Sequence, residues 1–377
     1  MGAVSVLVLN AGSSTLKFSL FSGRSTEVAA DGIVEHPPMD AVPAILASIR
    51  GILAADPVEA VGHRVVHGGR AFTGSVPIDD KVIGEIGRLS ELAPLHNPPA
   101  LAAIGAARKA IPNVPQIAVF DTAYFADLPP DRHVYPLPYE WYAERGVRRF
   151  GFHGISHAYC AGRAAEFLGR PPEGFRAVTC HLGNGCSATA TLGGKAVATT
   201  MGFTPLEGLM MGTRAGSVDP GILLHAMERM GLSPQELDEI LQHRSGLWGV
   251  SGVSSDFRAV QEAAKAGNGR AGLALAIYAH SVRAAIGALA VALGGVDALV
   301  FTAGVGENAG GLRQEVGRGL ACLGLHLDPD RNRTLRPDAD LATEDSPGRI
   351  LILHTREDLQ IAREALRLLR GRTSLSP

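Results

Sequence analysis

Two arginines stand in glycine-flanked, apolar stretches: Arg64 in Gly62-His-Arg-Val-Val-His-Gly-Gly69, and Arg214 in Met210-Met-Gly-Thr-Arg-Ala-Gly216. A guanidinium fork binds two oxygens of a carboxylate or phosphate at once, so each is either an anion clamp or half of a structural ion pair. The flanking glycines tilt both toward the first role. Three glycine-rich turns carry related chemistry: Asn10-Ala-Gly-Ser-Ser-Thr-Leu-Lys17, His181-Leu-Gly-Asn-Gly185 and Gly304-Val-Gly-Glu-Asn308. Glycine lets backbone N–H groups come close to an anion, and small hydroxyls add donors. One such sequence alone is as well read as a tight turn; three, all at strand ends, favour a polyphosphate cradle. The P-loop pattern G-x-x-x-x-G-K-[ST] does not occur.

Two acids and two histidine pairs complete the set. Asp121, in Val119-Phe-Asp-Thr122, ends a buried strand, where active residues gather in open α/β sheets. Glu357 follows the last strand and opens the closing helix, so it is either a metal ligand or an N-terminal acid favoured by the helix dipole. His63/His67 and His153/His157 have the His-x-x-x-His spacing, but neither pair has the general-base glutamate of H-E-x-x-H. The first lies on a Val-rich extended stretch, and Gly151 and Gly154 put a turn at the start of the second. A histidine donating to a phosphoryl group, or a satisfied core histidine, is the better reading than zinc.

The elements that position these residues follow from the apolar pattern. The run from Val4 to Leu9 is continuous and β-branched, as in a strand buried on both faces, and Thr15 to Phe21 alternates as a second strand. The same strand–polar turn–strand pattern returns at 177–192 around Gly183-Asn-Gly-Cys-Ser187, which predicts two similar α/β domains facing each other. Further strands are expected at 298–302 and 350–353. Helices are expected at 99–110, 156–168, 233–242 (with a Ser-Pro-Gln-Glu capping box), 271–293 and 357–369, with a frayed end at 374–377. The proline-rich segment 126–139 is the natural domain junction.

Bulk properties narrow the partners. The 377 residues exceed one ordinary core; the formal net charge is -2 with no basic or acidic block, which points to neither nucleic acid nor a membrane surface. The apolar stretch 284–295 is far short of the ~20 residues that cross a bilayer and reads as part of a packed interior helix. Residues 1–10 lack a basic leader and run into a turn, unlike a signal peptide. Cys160, Cys180, Cys186 and Cys322 form no C-x-x-C pair, which favours a reducing compartment.

Together these residues resemble the acetate kinase family, part of the larger sugar kinase, Hsp70 and actin superfamily, from Val6 to about Glu364. Leu9-Asn-Ala-Gly-Ser-Ser-Thr-Leu-Lys17 and Met201-Gly-Phe-Thr-Pro-Leu-Glu-Gly-Leu-Met-Met-Gly-Thr-Arg214 look like its two signature segments; Gly62–Gly69, Pro94-Leu-His-Asn-Pro-Pro99 and Arg149-Phe-Gly-Phe-His-Gly154 are similarly typical. The resemblance implies a cytoplasmic enzyme transferring phosphoryl between ATP and acetate, with Mg²⁺ (or Mn²⁺) and an in-line step giving acetyl phosphate and ADP. It implies two RNase H-like α/β domains with a nucleotide cleft between them. We place these at 1–123 plus 360–377, and at 124–359, the second carrying a homodimer interface.

The resemblance also assigns roles. Asn10 and Glu357 correspond to the metal residues, and Ser13, Thr15 and Lys17 to the first phosphate loop. His181, Leu182, Gly183, Asn184 and Gly185 form the second loop, and Gly304, Val305, Gly306, Glu307 and Asn308 the nucleotide loop. Asp256, Phe257 and Arg258 are a further nucleotide segment. Arg64 matches the carboxylate-binding arginine, His153 and Arg214 the transition-state donors, and Asp121 the catalytic aspartate. His96 and His181 fall at other active-site histidines. Val66, Leu95, Phe152 and Pro205 are implied methyl-pocket residues, though each is equally plain core. The departures are Thr15 for serine, Ala198-Thr-Thr without an aspartate, and Thr355-Arg-Glu-Asp358 for Thr-Asn-Glu-Glu; Cys186 would perturb the loop beside it slightly. A carboxylate is already ionised at pH 7, so Asp121 is expected to orient Mg²⁺, water or Arg64 rather than remove a proton. The alternatives are a propionate or butyrate kinase on the same fold, a non-catalytic actin- or Hsp70-like ATP-binding protein, and a zinc hydrolase.

Overall fold

The computed structural model describes residues 5–12, 15–22, 27–38 and 41–373. Val4, Ser13 and the 374–377 end, all invoked above, lie outside them. The chain divides into two compact units. The first comprises Met1–Ala126, Phe152–Ser156 and Arg356–Pro377, and the second Asp127–Gly151 and His157–Thr355. Relative to the sequence division, the short segments 124–126, 152–156 and 356–359 fall in the first unit.

The first unit is built on a six-stranded sheet: β1 (Ser5–Ala11), β2 (Thr15–Phe21), β3 (Val28–Glu35), β4 (Val58–Val65), β5 (Val76–Pro77) and β6 (Gln116–Phe120), in the order β3-β2-β1-β4-β6-β5. β1, β2 and β3 form an antiparallel meander, β4 and β6 run parallel to β1, and β5 is a short antiparallel edge. The continuous apolar run of β1 is buried throughout Val6–Leu9, whereas the alternating β3 is half exposed. Leu7, Leu9, Leu20, Val61 and Ala107 form the main core, and Phe72 stacks on Phe120 at 4.5 Å in a second cluster. The closing helix Glu357–Thr373 packs on β1 and β4. It comes that close because Gly62 has no side chain: a Cβ there would stand 2.6 Å from Ile361.

The second unit repeats the plan. Its strands are β7 (Arg176–Leu182), β8 (Cys186–Leu192), β9 (Lys195–Thr199), β10 (Ala298–Thr302), β11 (Ala339–Asp340) and β12 (Arg349–Ile352), in the order β11-β12-β10-β7-β8-β9. Again three antiparallel strands lead, two parallel strands follow, and a two-residue antiparallel strand closes the edge. The duplicated α/β sheet expected from the two polar hairpins is therefore present, with the RNase H-like plan that the resemblance implies. The helix Pro234–His243 opens on the expected capping box, Ser233 and Glu236 bonding each other's backbone N–H.

Two expectations need correction. Gly304–Asn308 is not an open turn but part of a short helix, Ala303–Asn308, entered through Ala303 at φ 65°. The Glu307 carboxylate accepts from the Ala303 N–H (2.9 Å), satisfying a donor that a helix start leaves open. The Ala-rich helix Gly269–Leu293 is not interior all round. The helix packs on the second sheet and on neighbouring helices with Tyr278, Val282 and Ile286 buried, but Leu273, Ile277 and Val291 are exposed. Alanine on every face conceals the stripe that a more polar helix would display.

Candidate active site

In the first unit, three strands deliver side chains to one sheet edge. β1, β4 and β6 are parallel, with Leu9 paired to His63 and Arg64 to Val119, so Asn10, Arg64 and Asp121 emerge side by side near the carboxyl ends. Glu357, the first residue of the closing helix, joins them. Arg64 Nη2 lies 2.7 Å from Asp121 Oδ2, and Nε donates to the same oxygen at 3.2 Å. Arg64 Nη1 reaches Asn10 Oδ1 at 3.4 Å and Glu357 Oε2 at 3.5 Å, and Asn10 Nδ2 donates to Glu357 Oε2 at 3.3 Å. Burial would pull the Arg64 guanidinium down, but Asp121 and Glu357 hold it charged and above its ordinary range. Burial pushes the Asp121 carboxyl up, against Arg64's pull. Its Oδ1 is buried with no hydrogen-bond partner among the described residues.

The segment Phe152–Ser156 packs beneath this cluster. Gly154 approaches the Asp121 carbonyl so closely that a Cβ would collide with it, and His153 before it is held at φ 56°. A non-glycine residue in that region is strained, as is common where a side chain is aimed for function. A buried clamp supports the neighbouring loop: Asn97 Oδ1 accepts from the His67 N–H and its Nδ2 donates to the His67 carbonyl, both at 3.1 Å. It sets Val66 next to the cluster's own strand. Val66 and Phe152 are buried, while Leu95 is 45% exposed and His96 is half-buried. Thr15 is half-buried and Lys17, opposite Asn10 in the β1–β2 pairing, is exposed.

In the second unit, the two glycine-rich segments and the Asp256 segment meet around a cavity of about 530 Å³. Gly183, Asn184, Asp256, Phe257, Arg258, Gly304, Val305 and Asn308 line it, joined by Leu247, Ser255, Gln261 and Ala309, which sequence reasoning missed. The helical spacing of Gln261, four residues after Phe257, was the available signal. Other members of those motifs do not line it. Leu182 is buried because alternate residues of a strand face opposite ways, and Gly306 because, two residues along a helix from Gly304, it lies on the opposite face from Gly304 and Asn308. Glu307 turns to Ala303 and to His354 Nδ1 (2.8 Å), and although burial opposes it, these hydrogen bonds lower its pKa. His181 and Gly185 stand beside the turn: a Cβ on Gly183 would lie 3.7 Å from His181 Nε2 and 3.4 Å from the Gly185 carbonyl. Asp256 is also a helix cap, accepting from the Ala259 N–H at 3.0 Å.

The Arg214 segment is tied to the same turn, since the Gly212 N–H donates to the Asn184 carbonyl at 3.1 Å. Upstream, Arg149 bonds the Thr200 and Met201 carbonyls (3.0 Å each) and Glu207 (2.6 Å), fixing the start of the signature stretch. Arg214 itself is half-buried. Its partners are the Pro205 carbonyl at 3.4 Å and the Met211 sulfur at 4.0 Å, and among the described residues it has no carboxylate partner. Burial lowers its pKa.

The two remaining histidines are structural. His157 is buried between Thr179 Oγ1 (2.6 Å) and Ser187 Oγ (2.7 Å), and His63 bonds Gln116 Oε1 at 2.7 Å. Burial lowers His157 well below its ordinary value and His63 to about 4.

A family model described as the Acetokinase family matches residues 39–363. The chain is 56% identical to an acetate kinase of Gloeobacter violaceus, over 84% of this chain and 78% of that one. It is 44% identical to an acetate kinase of Caldanaerobacter subterraneus subsp. tengcongensis, over 97% and 99%. Among solved structures, Porphyromonas gingivalis acetate kinase aligns with a TM-score of 0.91 at 39% identity, covering 97% of this chain and all of that one. A propionate kinase from Francisella tularensis aligns at 0.89 and 34%, covering 97% and 99%.

Proposed function

The chain belongs to the acetokinase family, and from that premise we propose that it is an acetate kinase, transferring the γ-phosphoryl of ATP in line to acetate and giving acetyl phosphate and ADP reversibly. The observation that carries this reading is Arg214, a half-buried cation whose partners are a carbonyl and a thioether. Such a group is costly unless an anion completes it, and a transferring phosphoryl spreads negative charge over three oxygens. Arg214 therefore donates to the phosphoryl group in flight, with His153 as a second donor. The 530 Å³ cavity takes the nucleotide, with the amides of the Gly183–Gly185 turn and Ala303–Asn308 at its phosphate end.

Acetate is taken by Arg64. Asp121 holds one edge of the guanidinium, which fixes the plane in which the remaining N–H groups meet the substrate carboxylate. An ionised carboxylate needs no general base, so Asp121 acts by orienting Arg64. Val66 and Phe152 bound the methyl group, with the half-exposed Leu95 as a further candidate. Asn10, Asp121 and Glu357 suit Mg²⁺ or Mn²⁺, hard ions that take oxygen ligands, and the buried Oδ1 of Asp121, which takes no part in the Arg64 bonds to Oδ2, is the feature that fits one. Held there, such an ion would supply positive charge that offsets the negative charge developing on transfer. The exposed Ile222, Leu224 and Met227 of helix Pro220–Arg229, with Met230 just after it, suit a homodimer interface on the second unit. The four free thiols, one exposed, suit the cytoplasm.

The test is hydroxamate formation from ATP with C2 to C4 acids, together with the reverse reaction from acetyl phosphate. The acetate reading requires kcat/KM for acetate to exceed that for propionate, by roughly 10-fold for one methylene. Preference for propionate moves the chain to the activity named for the Francisella protein, and nucleotide binding without any hydroxamate leaves only an ATP-binding protein.

A further inference from the structure

Cys186 opens β8 directly after the Gly183–Gly185 turn, and it is fully buried. Its Sγ donates to the Gly183 carbonyl at 3.3 Å and lies 2.9 Å from the Tyr278 hydroxyl. Each proton is used once when the Tyr278 O–H donates to sulfur and the S–H donates to Gly183. Both protons stay in place at neutral pH, because burial pushes the Cys186 thiol up to about 11 and the Tyr278 phenol well above its ordinary value. Tyr278 lies on helix Gly269–Leu293 and has no exposed surface. Its ring meets Phe257 edge-on, with centroids 5.5 Å apart. Phe257 in turn lines the cavity between Asp256 and Arg258. A buried chain thus runs from the Gly183 turn to the segment on the cavity's other wall.

We propose that Cys186 and Tyr278 are a positioning pair that sets the Gly183–Gly185 turn against segment 256–258, so that the phosphate end and the nucleoside end of one nucleotide are held at a fixed separation. This rests on the reading of the cavity as the nucleotide site. The Arg214 segment is anchored to the turn independently, through the Gly212–Asn184 backbone bond, so loss of the pair weakens nucleotide binding and spares the transfer step.

Cys186→Ala and Tyr278→Phe should each raise KM for ATP by about 3- to 10-fold, the worth of one buried hydrogen bond, with kcat and KM for acetate within about 2-fold of the parent. Cys186→Ser keeps a donor and an acceptor in place and should restore KM. The double variant Cys186→Ala with Tyr278→Phe should be no weaker than the worse single change, because both break the same link. Should Cys186→Ala fail to fold, Tyr278→Phe, which keeps the ring packing, carries the same comparison. Parental KM for ATP in both single variants, a fall in kcat instead, or additive effects overturn the proposal. Calorimetric ADP affinity of Arg258→Ala separates the premise from the pair. Unchanged affinity there removes the cavity as the nucleotide site, while weakened affinity there with unaffected Cys186 and Tyr278 variants removes only the pair.

Discussion

Arg64 and Arg214 look alike in sequence, each a guanidinium among glycines, yet their surroundings divide the labour between them. Arg64 is bound on one edge by Asp121 and approached by Glu357 on another, whereas among the described residues the hydrogen-bond partners of Arg214 are neutral. Its charge is therefore available to a group that becomes more negative during reaction, and interactions that strengthen in the transition state act on kcat. Arg214→Ala should lower kcat roughly 10³-fold while ADP affinity, measured by calorimetry, stays near that of the parent; near-normal turnover would remove its assignment. The sequence displayed these arginines, but not their partners. The Asn10–Glu357 contact joins residues 347 apart and the Cys186–Tyr278 contact residues 92 apart, and no local pattern reports such pairs. Within a motif, spacing also misled: Gly304 and Asn308 reach the cavity, while Gly306 between them faces the core.

At the scale of elements, what could be read depended on how one-sided the burial is. The strands Thr15–Phe21 and Ala298–Thr302 emerge with the expected bounds because alternation and a fully apolar run are unmistakable. Helix Ala303–Asn308 was hidden because glycines and an asparagine argue for a turn, and a side chain capping its first donor decides otherwise. The closing helix carries a heavier duty than its position suggests. Ile361, Ala362 and Ala365 are buried against β1 and β4, and burying an isoleucine alone contributes about 1.5–3 kcal/mol. Ile361→Asp places a charge in that contact and should cost at least about 3 kcal/mol, read as a lower urea midpoint. Because Glu357 heads the same helix, loosened docking should also raise KM for acetate; a variant with parental stability and kinetics would show that the helix is not coupled to the cluster.

Across the whole molecule, the duplication was legible because each half opens with the same strand–turn–strand pattern, and the two sheets share one strand order. Each unit also buries a neutral histidine, His63 in the first and His157 in the second. Both have folded pKa values below the ordinary 6.5, and that of His63 is about 4. The sign follows: below pH 6.5 the unfolded chain binds protons the folded chain refuses, so stability present at pH 7 is lost as pH falls toward 4. His63 alone should account for about 2 kcal/mol between pH 7 and pH 5. His63→Gln should flatten the pH dependence of the first unit's urea transition, and an unchanged slope would show that His63 is not held neutral. The first unit is also assembled from both ends of the chain, with the second unit's residues intervening. During synthesis, the stretch bearing Asn10 leaves the ribosome 347 residues ahead of Glu357, a wait of roughly 17–70 s at ~5–20 residues per second. The strands made first therefore remain without their covering helix until residues 357–373 emerge, and the half translated later is the one free to fold early.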